Sequence, residues 1–222
     1  LIGLGWRSFE LCCENLTMRF ALGLFVALAI GSPCVAGKYN SVLNIGDQAP
    51  AWRNLEGTDG KRHSLDDVKD KDLLVVVFTC NSCPVATDYE DRILAFSKKF
   101  AAAGSRLGLV AINVNTVAED QLPKMQERAA SKGFDFPYLY DPSQQIGKAF
   151  GAAFTPEFFV LDRERRVVYM GGMDDSSQAE AVKRNYLDSA AEAALAGKQP
   201  EIAETPAIGC RIRYGRERRR AE

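Results

Sequence analysis

Histidine is nearly missing from this chain: His63 is the single one in 222 residues. Among six cysteines, Cys80 and Cys83 form the one C-x-x-C pair. No second such pair, and no Cys/His pair, follows at ligand spacing, which argues against a zinc site. No apolar run reaches the roughly 18–20 residues of a membrane-spanning helix. Neither sign of charge dominates: 28 Lys and Arg stand against 29 Asp and Glu. That removes any global argument for nucleic acid as a partner. There is no internal repeat and no low-complexity segment. The length suits one domain of ordinary size with extensions and a real hydrophobic core.

What is present centres on Leu73 to Pro84, LLVVVFTCNSCP. The apolar run is short and rich in valine, which reads as a strand buried on both faces. From Val85 to Phe100 the apolar residues Val85, Tyr89, Ile93, Phe96 and Phe100 fall at helical spacing. Pro84 suits the first helical turn, where a missing N–H costs nothing. The two cysteines therefore sit where a central strand hands over to a helix. A helix N-terminus offers unpaired N–H donors and the positive end of the dipole, and both stabilise a thiolate. The spacing also lets two sulfurs close a small disulfide. Redox chemistry is the expected use of Cys80 and Cys83.

The N-terminus reads as processing sequence. Met18-Arg19 precedes the apolar run Phe20 to Ile30, and the small-residue stretch Gly31 to Gly37 follows. That is the layout of a secretory signal over residues 18–36, with cleavage expected after Ala36. Residues 1–17 read as upstream extension, because Met18 is the better initiator. Loss of the signal removes Cys12, Cys13 and Cys34 and leaves Cys80, Cys83 and Cys210. An exported C-x-x-C protein, periplasmic in a bacterium, works where disulfides persist.

Further along, Asp59-Gly60 marks a hairpin between short strands. His63 lies at the end of that hairpin and reads as a surface residue rather than a ligand or base. Ser64 to Asp67 reads as a helical turn. Arg106 to Asn113 is a second buried strand. A helix is predicted over Glu119 to Lys132, a strand over Phe136 to Tyr140, and a helix over Asp141 to Phe150. A strand over Glu157 to Leu161 pairs with Arg166 to Met170 as a hairpin, and an Ala-rich helix runs from Gln178 to Ala196. Alternating strands and helices indicate an α/β fold, a central mixed sheet flanked by helices with an N-terminal β-hairpin.

This layout resembles the thioredoxin superfamily, on the residues FTCNSCP at the first strand–helix junction and Thr155-Pro156 before a later strand. Within it, Gly46-Asp47-Gln48-Ala49-Pro50, Asp59-Gly60 and Leu65 are similar to the N-terminal hairpin of the redoxin branch. Peroxiredoxins and membrane-associated thiol–disulfide oxidoreductases meet in that branch. The resemblance covers residues 45–197, a thioredoxin-like domain. Residues 198–222 form a C-terminal extension with Cys210 and a basic run, read as an extended tail with a solvated end. Thr205 to Cys210 resembles peroxiredoxin-like bacterial proteins ending Thr-Pro-Ala-Ile-Gly-Cys. The resemblance implies a cis Pro156 against the C-x-x-C, and a Thr155 backbone that takes an extended substrate by strand addition. Thr79, just before Cys80, joins them as a substrate-binding candidate.

The departures narrow the chemistry. Thioredoxins carry Trp before the first cysteine, where this chain has Thr79. They bury a carboxylate six residues before it, where this chain has Leu74. Asp88 and Glu90 are the candidates to replace that acid. Peroxiredoxins need a Thr and an Arg to activate peroxide; the matching positions here are Cys80 and Pro156. The expectation is thus an exported thiol–disulfide oxidoreductase in which Cys80, taken as the more exposed thiol, attacks and Cys83 resolves. Its partners would be protein disulfides and an exported or membrane redox protein; no cofactor is implied. The alternative is an antioxidant thiol peroxidase acting on peroxide, with Cys210 as resolving thiol. The non-enzyme alternative is a Sco-like copper-binding protein. Those resemble C-x-x-x-C with a later His, whereas here His63 precedes a C-x-x-C.

Overall fold

The computed structural model describes residues 37–101 and 106–215. The signal-like segment 18–36, Cys12, Cys13, Cys34 and the basic run beyond Gly215 lie outside the described residues. The elements in chain order are β1 (Leu55–Gly57), β2 (Arg62–His63), β3 (Leu73–Phe78), α1 (Pro84–Ala101), β4 (Leu107–Asn113) and α2 (Leu122–Lys132). They continue with β5 (Tyr138–Tyr140), α3 (Gln145–Phe150), β6 (Phe154–Thr155), β7 (Glu157–Leu161), β8 (Val167–Gly171), α4 (Tyr186–Leu195) and β9 (Cys210–Arg211). Seven strands form one sheet in the order β2-β1-β5-β4-β3-β7-β8, and β6 pairs separately with β9. β3, β4 and β5 run parallel, while β7 and β8 are antiparallel additions and β1–β2 is the N-terminal hairpin. This is the thioredoxin-like mixed sheet expected from the strand–helix alternation.

β3 is central because both of its faces are covered. Leu73, Val75 and Val77 face Tyr89, Ile93, Phe96 and Phe100 of α1, with Met125 of α2 and Leu187 of α4 in the same cluster. Leu74, Val76 and Phe78 face Trp52, Phe150 of α3, Phe159 and Ile212. Phe78, Phe150 and Phe159 meet edge-on with centroids 5.1–5.7 Å apart, the arrangement the ring quadrupoles favour. All six β3 residues are buried, as the uninterrupted apolar run requires.

Three helices start later than their sequence patterns suggest, each because a side chain holds the leading residues elsewhere. The Asp141 carboxylate accepts from Ser143 Oγ and from Ile146 N, so Asp141 to Gln144 form a turn before α3. Ahead of α4, Arg92 binds the carbonyls of Ser176 and Ser177, and Asp175 accepts from Lys183 N and Arg184 N. The Ala-rich helix therefore begins at Tyr186 rather than Gln178; Gly197, at φ +70°, follows its end. Residues 118–120 form a separate 3-10 turn before α2, and that turn carries Asp120 into the site described next.

Residues 205–215 of the C-terminal extension are not a loose tail. Thr205 Oγ1 is 2.7 Å from Tyr169 Oη and accepts from Gly172 N at 3.0 Å. Ile212 is buried in the core, and Tyr214 Oη donates to Ala152 O at 2.7 Å. The composition, basic and Pro-containing, suggested solvent; the apolar alternation of Ile208, Cys210, Ile212 and Tyr214 decides otherwise.

Candidate active site

β3 ends at Phe78, and Thr79 N still bonds Ile112 O at 3.1 Å, so Cys80 enters the loop at the buried end of the sheet. α1 begins at Pro84, and Thr87 N donates to Cys83 O at 3.0 Å. Cys83 is thus the cap residue of α1, and Cys80 lies in the loop before it. The loop is fixed by Asp120, which is fully buried. Asp120 Oδ1 accepts from Asn81 N at 2.7 Å and Ser82 N at 3.0 Å, and Oδ2 accepts from Ser82 Oγ at 2.5 Å. Tyr138 Oη donates to Asn81 Oδ1 at 3.2 Å.

Both motif thiols are 2% exposed, so Cys80 is not the more exposed of the two. Cys80 Sγ lies 3.4 Å from Thr155 Oγ1, in the interior. Cys83 lines an open groove of about 740 Å³ together with Ser82, Cys210, Arg211 and Arg213. Ala86 N donates to Cys83 Sγ at 3.3 Å, and the protonated Cys83 thiol donates to Thr155 O at 3.2 Å. Cys80, Cys83 and Ala86 pack in one cluster, with Val85 and Cys210 against it.

These contacts separate the three thiols. Donation from the Cys80 thiol, helped by Cys210 and the Ala86 amide, holds Cys83 well below the ordinary thiol range against the opposing effect of burial. The same bond to a Cys83 thiolate pushes Cys80 up, and burial and the Asp120 charge add to it. Burial and the neighbouring Cys83 push Cys210 up as well.

The cis Thr155–Pro156 bond is present, and both residues are buried beside the cysteines. The Thr155 strand edge is already taken, because β6 pairs antiparallel with β9 and Thr155 stands opposite Cys210. Thr79 is buried too and lines a small internal cavity with Cys80, Glu90 and Tyr138. Of the two replacement acids, Asp88 is exposed, while Glu90 is buried near Cys80 but bound on both oxygens by Arg128 at 2.8 and 2.7 Å. His63 Nε2 lies 3.0 Å from Asp59 Oδ1, on the hairpin.

Sequence reasoning missed Asp120 and Glu157. Glu157 Oε2 accepts from Ala153 N at 2.7 Å and Phe154 N at 2.9 Å, which fixes the approach to Pro156. Burial raises its pKa. We expect Glu157→Ala to cost about 2–3 kcal/mol of stability by leaving both amides unpaired, and Glu157→Gln about 1 kcal/mol or less. In the parent protein this residue's contribution falls as pH rises from the ordinary carboxylate value through the raised one, since the folded state holds the proton more tightly. Gln removes that dependence. Denaturant melts across this pH range check both; equal losses for Ala and Gln would contradict the role.

A redoxin family model matches residues 44–186. The chain belongs to the redoxin family. It is 35% identical to a hypothetical protein of Sinorhizobium meliloti, over 79% of this chain and 97% of that one, with a TM-score of 0.72. It is 32% identical to an uncharacterized conserved protein of Geobacillus kaustophilus, over 79% and 95%, with a TM-score of 0.73. Over 114 residues it is 30% identical to a Mycobacterium tuberculosis protein provisionally named a peroxiredoxin; that match spans 50% of this chain and 65% of the relative. In this redoxin the described geometry places Cys210 against the Cys80–Cys83 cluster.

Proposed function

We propose that this redoxin is a thiol–disulfide oxidoreductase that uses Cys83 as its attacking thiolate. The carrying observation is the convergence of three sulfurs at one helix N-terminus, where Ala86 N donates to Cys83. Cys83 attacks a substrate disulfide, forms a mixed disulfide and expels one thiolate, which takes a proton from water. Cys210 or Cys80 then loses its proton, attacks Cys83 Sγ and expels the second thiolate. The substrate gains two electrons and becomes two thiols; the protein is left with one new disulfide, Cys83–Cys210 or Cys80–Cys83. This reading takes the opposite order to the one expected from sequence, Cys80 first and Cys83 resolving. The resolving role for Cys210 gains support from its contact with Cys83. The segment 18–36 supports an exported setting and, with it, an exported or membrane reductant as partner.

A thiol peroxidase is the second reading, favoured by Cys83 at the helix cap and by similarity to the relative named a peroxiredoxin. The missing Thr and Arg weigh against it. Mixing the reduced full chain with hydrogen peroxide, and separately with hydroxyethyl disulfide, decides. The expected result is rapid disulfide exchange and thiol loss to peroxide no faster than for free cysteine. Fast peroxide oxidation with slow exchange would replace the first reading by the second.

A further inference from the structure

β9 fills the edge that an extended substrate would use. Phe154 pairs with Arg211 and Thr155 with Cys210, and Ile212 N donates to Ala153 O at 2.9 Å. Contact is close enough that a Cβ on Gly209 would lie 2.1 Å from Thr155 O, so only glycine fits there. The segment is fastened on both sides of Cys210, at Thr205 and at Ile212 to Gly215, where Gln144 binds both Arg213 O and Gly215 N. What remains open beside Cys83 is the groove.

The groove has its own charge. Arg211 and Arg213 line it and are exposed, and among the described residues neither makes an ion pair. Arg211 lies over the Phe154 ring at 5.4 Å from its centroid, and Arg213 is near enough for its charge to act on the Cys210 thiol. Glu119 is the acidic residue of the lining, so the arginines outnumber it. Guanidinium forks suit carboxylates.

We propose that the groove selects small disulfides that carry carboxylates, with Arg211 and Arg213 as the specificity-determining residues. This rests on the thiol–disulfide reading and names its substrate class. The carboxylates dock on the arginines and place the S–S bond at Cys83; the exchange then runs as above, two electrons passing to the small disulfide.

The test is the rate at which the reduced full chain is oxidised by dithiodipropionate, a dianion, by neutral hydroxyethyl disulfide, and by insulin as a protein disulfide. The dianion is expected to react about tenfold faster than the neutral disulfide at low salt, despite its own charge near a thiolate, and added salt should shrink the ratio. Insulin should be slowest. In an Arg211→Ala/Arg213→Ala double variant the ratio should fall to about one, and in the double Lys variant it should largely persist, as charge-based selection requires. Comparable rates for the neutral and anionic disulfides, a ratio that survives the double Ala variant, or insulin as the fastest substrate would overturn the proposal while leaving disulfide exchange standing. If no disulfide reacted faster than with free cysteine, the reading beneath it would fall too.

Discussion

Replacing Cys83 by serine should abolish disulfide exchange, by about a thousandfold or more, while Cys80→Ser keeps the first chemical step. The helix is the argument for this order. α1 starts one residue after Cys83, so the Ala86 amide reaches Cys83 Sγ, whereas Cys80 sits three residues earlier against Thr155. The neighbouring Cys83 and burial push Cys80 up. Rapid mixing of each reduced variant with excess disulfide reads the first thiol released. Cys80→Ser should give one equivalent quickly and end as a Cys83–Cys210 disulfide, found by peptide mapping. Cys210→Ser should resolve through Cys80 instead. The pH profile follows from the lowered Cys83 value. Below an ordinary thiol's pKa its thiolate fraction falls tenfold per unit, so alkylation of a free thiol slows about a hundredfold between about pH 8 and about pH 6. Cys83 stays ionised through that window, so its alkylation should stay nearly flat. A fast step retained in Cys83→Ser and lost in Cys80→Ser would restore the order read from sequence.

The limits of the sequence reading have the same origin. β3 was legible because an apolar run of six residues buried on both faces leaves few alternatives, and α1 because its apolar spacing is regular. Pro84 marked the first helical turn correctly. Which cysteine caps α1 was not legible, since C-x-x-C fixes spacing and not the sulfur at the helix start. The starts of α2, α3 and α4 were lost for a related reason. Asp120 and Asp175 bind backbone amides outside the helices, and Asp141 binds Ser143 Oγ and the Ile146 amide in the first turn of α3; a periodic pattern carries no sign of such bonds. β9 was readable in principle from period-two alternation between Ile208 and Tyr214. Charge and proline in the same segment pointed the other way, and burial of Ile212 outweighed them.

Asp120 shows most directly how a residue with no motif can govern one. Asp120→Ala would strip the acceptor from two backbone amides and one hydroxyl at the loop between the cysteines. Ser82 Oγ is near solvent and can turn to water; the Asn81 and Ser82 amides lie half-buried and cannot do so as easily. We expect a loss of about 3 kcal/mol and a fall in melting temperature of about 10 °C. Asp120→Asn separates hydrogen bonding from charge. The amide oxygen can still accept both backbone donors, so stability should fall by about 1 kcal/mol or so. The charge is gone, and with it one of the effects that push Cys80 up. Cys80 in Asp120→Asn should therefore label faster than in the parent protein, measured by alkylation of a Cys83→Ser/Cys210→Ser background so that Cys80 is the site thiol left. A parental melting temperature in Asp120→Ala would mean that the loop holds itself. Unchanged Cys80 labelling in Asp120→Asn would mean that the carboxylate positions the loop without setting the balance of protons between the thiols.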